Sequence, residues 1–263
     1  MRPFHPLPSS RRASATGALL IAFAIALGAL LAPFGAAQAA DARFDAKDRK
    51  AIEQIVREYL IENPEVLMEA LRVLEKRDRD ATLAETRAAI EKRHKDIYND
   101  PGDFVAGNPE GDVTIVEFFD YQCGYCKRSF EPLMDFVKAD GNVRLILKEF
   151  PILGPASLEA SKAAVAAKKQ GLYFEMHRAL YEHKGQLDSE AILEIAKSAG
   201  LDLARLRKDM EDPAIAAMVS RHYDLAEALG VDGTPAFIVG GELYPGAADE
   251  ARLTEMVKAA RGG

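Results

Sequence analysis

Cysteine is scarce in this sequence, with two residues among 263. That excludes a disulfide-stapled scaffold, which needs several pairs. Positive charge is in deficit, 34 Lys and Arg against 41 Asp and Glu, for a net charge of −7. A nucleic-acid partner calls for a basic face, so none is expected. Histidine is thin as well: beyond His5 there are His94, His177, His183 and His222, scattered without the short spacing of a zinc site. No resident metal or cofactor is expected. Internal repeats and low-complexity tracts are absent. Long apolar runs are limited to one, "ALLIAFAIALGALLA", the 15 residues 18–32, and a spanning helix normally needs ~20. The chain after it is therefore expected to be soluble.

The surroundings of that run point to export. Arg2, Arg11 and Arg12 precede it and the small residues "PFGAAQAA" come after it. A basic start, a greasy middle and an A-x-A end mark a cleaved secretory signal, here residues 1–39 with the cut after Ala39. An uncleaved anchor is the competing reading. Arg11-Arg12 makes only a weak case for twin-arginine export, because no apolar residues come directly after the pair. Cleavage removes three positive and no negative charges, taking the net charge from −7 to −10. The destination is the periplasm, an oxidising space that permits disulfides.

Residues 40–100 differ from the rest of the chain. Ile52, Ile55, Val56, Tyr59 and Leu60 recur at helical spacing. Asn63 and Pro64 then suit the start of a second helix, whose apolar face continues through Val66, Leu67, Leu71 and Leu74. From Glu75 to Ile97, 13 of 23 residues are charged, and Leu83, Ile90 and Ile97 form a seam one residue wide. This stretch reads as an exposed rod or thin coiled coil rather than a core helix. Two short greasy helices cannot form a core alone, so self-association through residues 41–100 is expected, with docking back onto the same chain as the alternative.

Residues 101–263 alternate. "VTIVEFF" (113–119) reads as a buried strand, "KRSFEPLMDFVKAD" as a helix and "NVRLILKEF" (142–150) as the next strand. Helical patterns fill about 155–229, "PAFIVGGELY" (235–244) reads as two strands around a Gly-Gly turn, and a last helix closes the chain. This is an α/β plan with a helical insertion.

Both cysteines sit in "FFDYQCGYCKRSF" (118–130), three positions apart. Cys123 comes after a strand and opens a helix, where unpaired backbone N–H groups stabilise a thiolate. Cys126 lies one turn on, within reach of the first sulfur. The pair can close and reopen a disulfide, Cys123 attacking and Cys126 resolving. Three other uses compete: a structural disulfide, disfavoured because closing so short a loop restrains little; zinc, which lacks further ligands; and a two-thiolate copper(I) site.

"VEFFDYQCGYCK", with "GVDGTPAFIVGG" later in the chain, resembles the DsbA family of thioredoxin-fold thiol–disulfide oxidoreductases over roughly residues 103–263. The resemblance implies a thioredoxin fold with an inserted helical domain and an N-terminal helical extension. It implies that Pro235 is a cis-proline facing the cysteines, with Thr234 offering backbone hydrogen bonds to an extended substrate. It also implies that Glu117 is a buried acid that relays a proton to Cys126; a solvated strand glutamate is the other reading. Gly124 and Tyr125 fill the motif where strongly oxidising members carry a histidine. With Thr234, they resemble the isomerase and reductase branch, in which oligomeric members of the ScsC type join catalytic domains through N-terminal helices. An isomerase acting on secreted client proteins with cysteines needs a membrane thiol reductase as partner. A monomeric dithiol oxidase, and a copper-binding or chaperone-like protein without turnover, stay as alternatives.

Overall fold

The computed structural model describes residues 44–262; the signal segment and its cut after Ala39 lie outside the described residues. The chain divides into two compact units, one ending at Ala70 and the other beginning at Leu71.

In the first unit, α1 (Ala46–Glu62) starts on a capping box between Asp45 and Asp48. None of its residues is buried, and Ile52, Ile55, Val56 and Tyr59 all present their side chains to solvent. Asn63 closes α1 instead of opening the next helix: its side-chain N–H donates to the Tyr59 carbonyl at 2.9 Å. An asparagine serves either end, and here its backbone N–H and its side chain both donate to the Tyr59 carbonyl in the last turn of the preceding helix.

Helix α2 (Glu65–Lys92) runs on from the first unit into the second, and α3 (His94–Tyr98) begins after a break at Arg93. Here the exposed-rod reading needs correction. Leu83 is exposed, but Ile90 and Ile97 are buried, in one cluster with Val116, Phe118, Ile146, Phe150, Leu225 and Ile238. Lys148 Nζ donates to the Asp96 carbonyl at 2.6 Å, Arg144 to the Tyr98 carbonyl at 3.0 Å, and Arg87 pairs with Glu242 at 2.6 Å. A seam one residue wide suffices because only the last turns dock, and the charged flanks stay in water.

The sheet has the order β1-β3-β2-β4-β5. Its strands are β1 (Phe104–Gly107), β2 (Val113–Phe119), β3 (Val143–Glu149), β4 (Ala236–Val239) and β5 (Glu242–Pro245). β2 and β3 pair in parallel and are covered on both faces, which their near-continuous apolar runs require. β1, four residues long, pairs antiparallel with β3; the sequence carries too few residues there to show a period.

Strand alternation sends Ile115, Glu117 and Phe119 to one face of the sheet and Val116 and Phe118 to the other. The first face packs with α4 (Gly124–Asp140), α10 (Glu250–Gly262) and the helical insertion. That insertion comprises α5 (Pro155–Ala167), α6 (Tyr173–Glu182), α7 (Ser189–Ser198), α8 (Leu203–Met210) and α9 (Pro213–Ala228), all between β3 and β4. β4 runs antiparallel to β2, with Ala236 opposite Phe118. The chain entering β4 thus lies beside the chain leaving β2. This register brings residues 234–235 to the cysteine pair.

Candidate active site

Cys123 is the N-cap of α4, in extended conformation with φ −70° and ψ 114°. A cap side chain accepts from the helix's unpaired N–H groups, normally through oxygen; here sulfur does so, accepting from the Cys126 N–H at 3.4 Å. In its protonated form the Cys123 thiol donates to the Thr234 carbonyl at 3.1 Å. The Thr234–Pro235 bond is cis. Both cysteines are free thiols. Cys123 keeps 6% of its surface exposed and Cys126 none.

These environments drive the two sulfurs apart. Cys123 is pulled down to about 5, first by the hydrogen bond from the Cys126 thiol, then by Thr234 and the N–H groups of Cys126 and Tyr125, against partial burial. The neighbouring thiol is thus the largest single contribution, and the helix-terminus N–H groups that the sequence points to add to it. Burial raises Cys126 far above an ordinary thiol, with the Cys123 hydrogen bond and the Glu117 charge adding to it. One sulfur is a thiolate at neutral pH; the other holds its proton until something removes it.

Glu117 lies on the sheet face that packs against α4 and is 2% exposed, so the buried reading holds over the solvated one. Burial, and secondarily the Cys123 charge, raise its carboxyl to about 8. Gly124 and Tyr125 are exposed in the first turn of α4. The Arg128 guanidinium lies over the Tyr125 ring, 4.2 Å from its centroid. Every residue singled out from the sequence therefore lies in the cysteine-pair neighbourhood: the motif itself, the strand that leads into it, and the Thr234–Pro235 segment beside it.

Nothing in the sequence marks a second buried acid behind the site. Glu149, at the end of β3, accepts from Tyr121 at 3.0 Å, Tyr173 at 2.8 Å and Ser161 at 2.7 Å. Tyr121 also contacts His177 Nδ1 at 2.9 Å. Burial lifts Glu149 to about 8 although the three hydroxyls oppose it, and burial holds His177 neutral, down to about 3. This network ties the strands to α5 and α6. Asp120 is a further residue that sequence reasoning misses; it braces the loop before Cys123. Among the described residues no cluster of three His, Cys, Asp or Glu is placed to hold a metal ion.

The DSBA-like thioredoxin domain description matches residues 114–258. The chain belongs to that family. The N-terminal domain of copper resistance protein ScsC matches residues 48–81. A thioredoxin-like oxidoreductase from Silicibacter pomeroyi is 44% identical, with a TM-score of 0.63 covering 64% of this chain and 98% of that one. A linker-deletion mutant of Proteus mirabilis ScsC is 28% identical, with a TM-score of 0.64 covering 84% and 98%. The Na(+)/H(+) antiporter NhaA 1 of Salinispora arenicola is 32% identical over 163 residues, 61% of this chain but 25% of that protein. The chain thus spans about a quarter of the curated relatives it matches. No helix among the described residues is long and apolar enough to cross a membrane. The fold of this DsbA-like chain is a thioredoxin fold with a helical insertion and an N-terminal helical extension.

Proposed function

We propose that this chain is a periplasmic thiol–disulfide oxidoreductase that reduces and isomerises disulfides of secreted client proteins. The observation that carries the dithiol-exchange chemistry is the pair of sulfurs held in opposite states, Cys123 near 5 and Cys126 far above it. The Cys123 thiolate attacks one sulfur of a client disulfide; the client S–S bond breaks, and the departing client thiolate takes a proton. Glu117 then accepts the proton of Cys126, whose sulfur attacks Cys123 Sγ and frees the second client thiolate, which is protonated in turn. Two electrons pass to the client, and the pair becomes a disulfide. In isomerisation a client thiol resolves the mixed disulfide instead, and the pair stays reduced. Gly124, Tyr125, Thr234 and Pro235 form the client surface, Gly124 by leaving the approach to the sulfur clear of a side chain. A membrane thiol reductase restores the dithiol.

The exposed apolar face of α1, with Leu67, Met68 and Leu71 further on, supports a homo-oligomer held through the extension. The absence of histidine between the cysteines supports the reductive direction. A dithiol oxidase is favoured by one observation, the low pKa of Cys123, since a stabilised thiolate stabilises the reduced form. Refolding of a scrambled disulfide protein tests the proposal: Cys123→Ala abolishes isomerisation. Isomerisation that survives that change overturns it.

A further inference from the structure

Two polar atoms of α6 lie buried with no hydrogen-bond partner among the described residues: His177 Nε2 and the Tyr181 hydroxyl. His177 is fully buried and Tyr181 is 6% exposed. Four positions apart, they share one face of the helix, with their rings in edge contact at 4.9 Å between centroids. A buried hydroxyl that makes no bond costs folding free energy, so its position calls for a physical reason.

Packing places Tyr181 between the two elements that carry the buried acid and the resolving sulfur. Its ring stacks on Phe130, 4.7 Å between centroids, and Phe130 stands one turn after Cys126 on the same face of α4. Its ring also meets Phe119 at 6.0 Å, which shares a sheet face with Glu117 two positions away. Burial above all, then the charges of Glu117 and Cys126, holds the Tyr181 proton far more tightly than in an ordinary phenol. Tyr121, Glu149, Tyr173 and His177 are the other titratable groups around it.

His177 supplies a matching acceptor. Tyr121 donates its one proton to Glu149, so the 2.9 Å contact with His177 Nδ1 is a donation from the ring nitrogen. Nε2 of the neutral ring is then a bare lone pair. A proton donor and a bare acceptor one turn apart suit a single internal water, which makes ~3 hydrogen bonds when buried. It accepts from Tyr181, donates to His177 Nε2 and has one O–H left to donate.

We infer that Tyr181 is a positioning residue for the release step: with His177 it holds a water whose free O–H donates to the Glu117 carboxylate. The inference rests on the dithiol-exchange reading and adds how a buried acid ionises there. A donor to the charged form favours that form, so more of Glu117 is ready to take the Cys126 proton at neutral pH. That proton passes from Cys126 Sγ to Glu117, Cys126 bonds to Cys123 Sγ, and the client thiolate leaves. Tyr181 keeps its own proton throughout.

The test uses the full-length mature protein. Reduced protein captures a model peptide disulfide on Cys123, and release of the bound peptide by Cys126 is followed by acid quenching and mass spectrometry. Rates are taken on both sides of about pH 8, where Glu117 titrates. Tyr181→Phe, which removes only the hydroxyl, is expected to move the release profile to higher pH by about one pH unit, an approximately tenfold slowing at neutral pH. Capture by Cys123 keeps its rate and its own pH dependence. In a Glu117→Gln background the same change has no further effect, because the group it acts through is gone. A release profile that Tyr181→Phe leaves in place, or a slowing that persists in the Glu117→Gln background, overturns the inference. If the wild type captures no peptide, the dithiol reading beneath it fails, which is a different result.

Discussion

Glu117 carries a cost that is visible in the pH dependence of folding. Its carboxyl titrates near 8 in the folded protein and near 4.3 in an unfolded chain. A raised acid contributes fully below the unfolded value, and that contribution is lost as pH rises through the folded one. Glu117→Gln is therefore expected to gain stability over the wild type between about pH 4.5 and 8, on the order of a few kcal/mol at the upper end. Denaturant titrations at both ends of that window measure it; an equal difference at the two pH values contradicts it. In the proposed mechanism the same variant removes the proton acceptor for Cys126. Release of the mixed disulfide should slow by roughly a hundredfold, the usual weight of a positioned base, and trapped adducts seen by mass spectrometry report it. The motif made Glu117 legible. Glu149 was not, because its three hydroxyl partners come from the β2–α4 loop, α5 and α6, and no spacing along the chain brings those together.

At the scale of elements, the extension divides at a different place from the one its charge suggests. A highly charged stretch with three isolated apolar residues looks uniform in sequence, yet Leu83 stays exposed while Ile90 and Ile97 enter the core. Burial depends on which turns of the helix meet the sheet, and periodicity does not encode that. A deletion of residues 41–100 would tear two core side chains and the Arg87–Glu242 pair out of the second unit. Deleting 41–83 leaves them in place. That shorter deletion is expected to sediment as a monomer, to keep reduction of small disulfides and to lose isomerisation of scrambled proteins. An oligomer that persists after the deletion contradicts assembly through these helices. The strands and the helical insertion were legible because their apolar runs and glycine breaks are strong. β1 was not, since four residues ending in a positive-φ glycine (Gly107, φ 69°) carry no pattern.

For the whole molecule, the fold serves one purpose at the site. Parallel pairing of β2 with β3 and antiparallel pairing with β4 set a helix start and a proline turn side by side. What the sequence could not supply is the source of the activation. The hydrogen bond from the Cys126 thiol is the largest single cause that lowers Cys123, with the helix-terminus N–H groups of Cys126 and Tyr125 adding to it, and that bond comes from side-chain geometry. The most direct measurement is the pH dependence of alkylation of the reduced, full-length protein. The account predicts a single rapidly reacting thiol with a midpoint near pH 5, absent in Cys123→Ser and shifted upward in Cys126→Ala. A midpoint near that of free cysteine, about 8.5, contradicts it.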